Sequence, residues 1–137
     1  MHPRDIAKDT AKIIQNYLTY EAVKTVIEQL TETNPAEAIW LRQYSSGGKL
    51  RDGEAYLEAI MSERNGKALA LRIMTVRIHI AEQILEFLPE MVSTGIKQAN
   101  LLHRRHLLER LTQAQSDSST EDVESSDSDL DIKESSD

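Results

Sequence analysis

The chain has no cysteine among its 137 residues, only three prolines, five glycines and a single phenylalanine. Without thiols there is no disulfide staple and no thiolate metal site, and a reducing compartment is the natural setting. No stretch approaches the roughly 20 apolar residues of a membrane span. The first residues, Met1 to Asp9, are polar and lack the apolar core of a signal peptide. A soluble, cytosolic protein is expected. The scarcity of proline and glycine also leaves long stretches without a helix breaker.

Charge is distributed unevenly. From Ala114 to Asp137 there are nine acidic residues and one lysine, a net of −8, so the rest of the chain, with 15 basic and 14 acidic groups, is almost neutral. The acidic stretch is mostly Ser, Asp and Glu, with Val123, Leu130 and Ile132 too sparse to offset the entropy of ordering. Residues 114–137 are therefore expected to be a disordered tail, and 1–113 a single helical domain. Runs such as Glu124 to Asp129 also resemble acidic kinase targets, but solvated disorder is the simpler reading.

What the chain has in quantity is helical periodicity. Ile6, Thr10, Ile13, Tyr17, Tyr20, Val23, Ile27 and Leu30 recur at spacings of three and four, which predicts a long first helix with these residues on one face. Asn34 before Pro35, with Glu37 three residues on, reads as the start of a short second helix through Trp40 and Leu41. Ser45 to Gly48 breaks it. Asp52 can cap a third helix carrying Ala55, Tyr56, Ala59 and Ile60, ending near Asn65 and Gly66, which tolerate left-handed backbone.

A fourth helix then begins near Lys67, with a stripe of Leu69, Ile73, Val76, Ile80, Ile84, Phe87, Met91 and, less regularly, Ile96. From Lys67 to Leu111 the only proline is Pro89 and the only glycine Gly95. An unbroken helix of that length would run about 68 Å at 1.5 Å per residue, too long for its apolar positions to be covered within one small protomer. Pro89 predicts a bend near Leu85 to Pro89. The expected fold is all-α, four helices with a long, bent last helix, assembled as a dimer.

No catalytic constellation appears. His2 and His79 have no serine, acid or histidine arrangement that reads as nucleophile and base, and Gly47 and Gly48 lack the lysine and helix start of a phosphate loop. His103 and His106 lie one turn apart, but only Glu109 is a local third ligand, and two solvent-facing histidines are the simpler reading. Lys97, Arg104, Arg105 and Arg110 could neutralise nucleic-acid phosphates; the near-neutral domain and an aromatic content of 4% argue against it. A helical, dimeric, nucleic-acid-associated regulator is kept as the alternative class. Arg72 and Arg77, set among Leu71, Ile73, Met74 and Val76, fit either snorkelled helix packing or a polar contact surface. Tyr17 and Tyr20, at i and i+3, fit core packing or a groove wall, and periodicity alone favours the core.

The strings YLTY (Tyr17 to Tyr20), ETNP (Glu32 to Pro35), AIWL (Ala38 to Leu41), LRIMTVR (Leu71 to Arg77) and EFLPEMV (Glu86 to Val92), followed by IKQAN and HRRHLLERLTQ, resemble RbcX, the Rubisco assembly chaperone family of cyanobacteria. The likeness runs from about Ile6 to Gln113 in the family's order and leaves out the tail. It implies an all-helical, arc-shaped homodimer without catalysis, nucleotide, cofactor or metal. Its central groove would capture the C-terminal tail of the Rubisco large subunit and promote assembly of large-subunit dimers toward the octameric core. Carried over by motif, Tyr17 and Tyr20 would line that groove, joined by Leu50 beside a loop of variable length. Gln29, Glu32, Arg72 and Arg104 would form polar peripheral contacts to the folded body of the large subunit. The resemblance further implies a cyanobacterial cytoplasm, with carboxysome association open, and neither nucleic acid nor membrane as partner.

Overall fold

In the computed structural model, residues 2–135 are described, with side chains over 2–117. The chain divides into two units, one ending at Glu86 and the other beginning at Phe87. Among the described residues five α-helices follow one another: α1 (Pro3–Thr33), α2 (Pro35–Tyr44), α3 (Gly53–Met61), α4 (Gly66–Ile84) and α5 (Leu88–Ser135), with a 3₁₀ turn at Lys49–Arg51. Among the described residues there is no strand.

The helix starts are those the local chemistry predicts. Asn34 Oδ1 accepts from the Glu37 amide at 3.4 Å while Asn34 Nδ2 donates to Glu37 Oε2 at 2.9 Å, so cap and third residue hold each other at the start of α2. Pro35 follows at a position where no amide is missed. Asp52 Oδ1 accepts from the Ala55 amide at 3.2 Å and opens α3. Between them the chain turns through Gly47 and Gly48 at φ of 75° and 80°, left-handed geometry that a Cβ would strain.

The other expected left-handed site is different. Asn65 has φ −113° and Gly66 opens α4 rather than closing α3. The glycine is required there by proximity, because a Cβ would run into the carbonyl of Ile60. Close approach, not chirality, selects it.

The core of the first unit is formed by Ala22, Val23, Val26 and Leu30 of α1, Ala38 and Leu41 of α2, Tyr56, Leu57 and Ile60 of α3, and Leu69, Ala70 and Ile73 of α4. This corrects the stripe read on α1. Val23 and Leu30 are buried and Ile27 partly so, but Ile6, Ile13, Tyr17 and Tyr20 are exposed, and the face that turns inward carries Leu18, Thr19, Ala22 and Val26. The small residues Thr19 and Ala22 let neighbouring helices approach closely. At the far side, Trp40 stacks on Tyr44 at 5.1 Å, and Tyr44 lies 5.9 Å from Tyr56.

The expected four helices with a bent last one become five, because the fourth is interrupted. α4 ends at Ile84 and α5 starts at Leu88. Pro89 has no amide for the Leu85 carbonyl and its ring crowds that carbonyl, so the regular helix is interrupted there. Within the second unit, the side chains from Pro89 to Asp117 are all exposed, including Met91, Ile96, Leu101 and Leu108. Residues 114–137, expected to be disordered, carry helical backbone as far as Ser135. The expectation that Val123, Leu130 and Ile132 stay unburied concerns side chains outside the described range.

Candidate functional site

Tyr17 and Tyr20 sit one turn apart on α1, 59% and 46% exposed, with ring centroids 6.4 Å apart and planes inclined by 26°. The core-packing reading of this pair is therefore wrong, and the pair stands as a stacked aromatic surface. Glu21, next to Tyr17, raises the Tyr17 hydroxyl above the usual tyrosine pKa by hydrogen bonding and by its charge. The hydroxyl remains a donor at neutral pH.

From Tyr20 the surface dips into a groove of about 360 Å³ lined by Tyr20, Val23, Ile27 and Leu50, with Lys24, Glu28, Arg42 and Ser45 at its sides. Leu50 belongs to the 3₁₀ turn and is half-buried against the core, so its exposed edge forms the wall facing α1. Tyr20 and Leu50, separated by 30 positions, thus line one groove. Tyr17 extends the aromatic surface beyond its end. Lys24 and Arg42 were not singled out from the sequence; the signal for Lys24 was present, since it lies one turn after Tyr20 on the same face.

A larger hollow of about 800 Å³ lies among Asn34, Glu37, Trp40, Glu63, Lys67 and Leu69. The smaller groove is the better candidate because it joins a stacked aromatic pair to a continuous aliphatic floor, the pattern of a site for apolar side chains.

The polar residues divide. Arg72 Nη2 donates to Gln29 Oε1 at 2.8 Å, which joins α4 to α1 across 43 positions. Glu32 lies one turn beyond Gln29 on α1 and is exposed. Arg104 is exposed on α5 in the second unit, on a face shared with Leu101, Arg105 and Leu108. Arg77 does not snorkel freely: its Nη1 donates to Glu54 Oε1 at 2.6 Å and to the buried Thr19 Oγ1 at 3.2 Å. Among the described residues no group of three His, Asp or Glu side chains could hold a metal, and His103 and His106 are exposed on α5.

The model of the family described as RbcX protein matches residues 1–113. The chain belongs to the RbcX family. It is 60% identical over 113 residues to the RuBisCO chaperone RbcX of Anabaena sp. (strain CA / ATCC 33047), a match covering 82% of each chain. It is 51% identical over 136 residues, 99% of each chain, to the RuBisCO chaperone RbcX of Picosynechococcus sp. (strain ATCC 27264 / PCC 7002 / PR-6). The crystal structure of RbcX in complex with substrate superposes with a TM-score of 0.75 at 54% identity, covering 82% of this chain and 99% of that one. RbcX is a family of chaperones, and the chain is not an enzyme. The nucleic-acid alternative draws no support from these relatives. No helix among the described residues is long and apolar enough to cross a membrane.

Proposed function

We propose that the protein is a Rubisco assembly chaperone that binds the C-terminal tail of the folded large subunit in the groove of Tyr17, Tyr20 and Leu50. It would promote assembly of large-subunit dimers toward the octameric core. The observation that carries this reading is the exposed, stacked Tyr17–Tyr20 pair opening onto an aliphatic groove. An aromatic peptide side chain seated there gains about 2 kcal/mol from leaving water, at roughly 25 cal/mol per Å², while the tyrosine hydroxyls serve peptide polar groups. Gln29, Glu32, Arg72 and Arg104 act as separate polar contacts to the body of the large subunit and set register and orientation. The Arg72–Gln29 bond supports this role by presenting a guanidinium and an amide as one fixed unit. Dividing the contact between one apolar groove and polar outliers keeps each part weak enough for release.

The working form is a homodimer in a cyanobacterial cytoplasm. The apolar residues of α5, exposed from Met91 to Leu111, supply the surface that a second copy would cover. The acidic residues after Gln115 are dispensable for folding and dimerisation; truncation after Gln115 should leave melting temperature and dimer mass unchanged. The deciding experiment is calorimetric titration of the full chain with the C-terminal peptide of its own large subunit. Saturable binding is expected, and an absence of binding at millimolar peptide removes the reading.

A further inference from the structure

The groove depends on a short segment whose position is set from outside. Between Tyr44, the last residue of α2, and Gly53, the first of α3, the chain has only turns and the 3₁₀ turn carrying Leu50. Where Leu50 stands is decided by its own packing against the core and by how the ends of that segment are fixed. At the α3 end the Gly53 amide opens a helix and has no acceptor within it. Asp52 does not serve it, because its carboxylate is committed to Ala55. The acceptor is Asn16 Oδ1, at 2.9 Å, from 37 positions earlier in α1.

Asn16 is one helical turn before Tyr20, so the anchor and the aromatic wall sit on adjacent turns of one face. Gly53 is three residues after Leu50. The junction is also pressed closely onto α1: a Cβ at Gly53 would lie 2.7 Å from Thr19 Oγ1, and Arg77 of α4 ties the same Thr19 to Glu54. Three helices thus meet where α3 begins, and one side-chain carbonyl joins the segment carrying Leu50 to the helix carrying Tyr20.

We propose that Asn16 is a positioning residue for the tyrosine groove: by accepting from the Gly53 amide it holds the Leu50 wall opposite Tyr20. This rests on the groove reading above, but its physical content is a statement about Leu50. Removing the acceptor leaves a part-buried amide without a partner, and the junction relieves this by opening toward water. The opening carries Leu50 away from α1 and widens the groove. Neither Tyr20 nor Leu50 is itself altered.

The test compares Asn16→Ala with Asn16→Asp in the full chain. Asp keeps an acceptor at the same reach, beside the N-terminus of α3 where the helix dipole favours a negative charge. By amide exchange, Asn16→Ala should speed Gly53 roughly tenfold as the local opening becomes easier, and should move the Leu50 methyl resonances; Asn16→Asp should do neither. Affinity for the large-subunit tail peptide should fall about fivefold in Asn16→Ala, yet change less than twofold when Asn16→Ala is added to Leu50→Ala, the non-additivity of a residue acting through another. Unchanged Gly53 exchange, or an equal loss in both backgrounds, overturns the proposal. Should Tyr20→Ala leave peptide binding intact, the groove reading falls by itself, and the Gly53 and Leu50 signals still decide what Asn16 does.

Discussion

The first unit, through Glu86, and the helix from Leu88 onward are written in the same sequence code and end in opposite states. Both carry aliphatic residues at spacings of three and four. In the first unit Leu41, Ile60 and Ile73 lose all contact with solvent, whereas on α5 Leu101, Leu107, Leu108 and Leu111 remain more than half exposed. Periodicity therefore reports that a helix has an apolar face and says nothing about where the cover comes from. Four helices that follow one another with short connections can cover one another. On α5 the aliphatic residues are exposed along its described length.

The comparison is broken most directly by cutting into the buried side. Ile73 is fully buried on α4 among residues of α1 and α3. Ile73→Ala removes three carbons from a packed site and should cost about 2–5 kcal/mol of stability, measured by urea unfolding at neutral pH. A cost below about 1 kcal/mol would mean that the core is more loosely packed than this burial implies.

The next largest effect belongs to the other region and should appear in assembly rather than in the fold. Leu101 and Leu108 lie two turns apart on one face of α5, 67% and 63% exposed. Replacing both with glutamate keeps helix-forming residues but places two charges where the proposed partner packs. Light scattering should show the mass falling from twice the 15.5 kDa chain to that of a single chain. An unchanged dimer would move the interface off this face.

How much of this was legible follows the range of the interactions. The caps at Asn34 and Asp52 and the break at Gly47 and Gly48 are local chemistry, and they lie where the sequence puts them. Pro89 was read correctly as a disturbance but not as a full interruption, since the outcome depends on whether the freed Leu85 carbonyl is better served by stopping the helix. The inner face of α1 differs from the expected stripe because that stripe follows the large side chains Ile13, Tyr17 and Tyr20 and passes over the small residues Thr19 and Ala22, which are the ones buried. Close packing prefers the small residues. The groove is a different case: Tyr20 and Leu50 were named together through family resemblance, not spacing, and the bonds Arg72–Gln29 and Asn16–Gly53 span 43 and 37 positions that no local pattern connects.

A third prediction separates the exposed aromatic surface from the exposed polar one. Tyr20 is 46% exposed, so Tyr20→Ala should cost little stability while weakening tail-peptide binding at least about tenfold, the loss expected from removing a buried aromatic contact. Arg72→Ala should leave peptide affinity within about twofold and impair large-subunit assembly, because its proposed partner is on the folded body. Loss of helicity in Tyr20→Ala would return that residue to a structural role. Loss of peptide binding in Arg72→Ala, with the fold intact, would collapse the two surfaces into one.

The smallest effect concerns a tyrosine that shares its chemistry with Tyr20 and has the opposite environment. Tyr56 is 2% exposed, and its hydroxyl lies 2.7 Å from Ser45 Oγ. Burial raises its pKa above 10.0, with the Ser45 hydrogen bond opposing the shift. Because the folded chain holds that proton more tightly than the unfolded one, the linked stability is fully present below the unfolded value of about 10 and is lost as pH rises through the folded value. Tyr44 shifts in the same direction, by desolvation first and by the charge of Glu63 second, so some alkaline loss persists without Tyr56. Tyr56→Phe removes the ionisable hydroxyl and keeps the ring. Ser45 Oγ still donates to the Leu41 carbonyl at 2.7 Å, so the cost at neutral pH should be near the lower end of a lost hydrogen bond, about 0.5–1 kcal/mol. Above pH 10 the variant should lose stability less steeply than the parent, the two urea-melt curves converging as pH rises. Parallel curves would mean that the Tyr56 proton is held no more tightly in the folded chain than in water, and that burial of this ring does not extend to its hydroxyl.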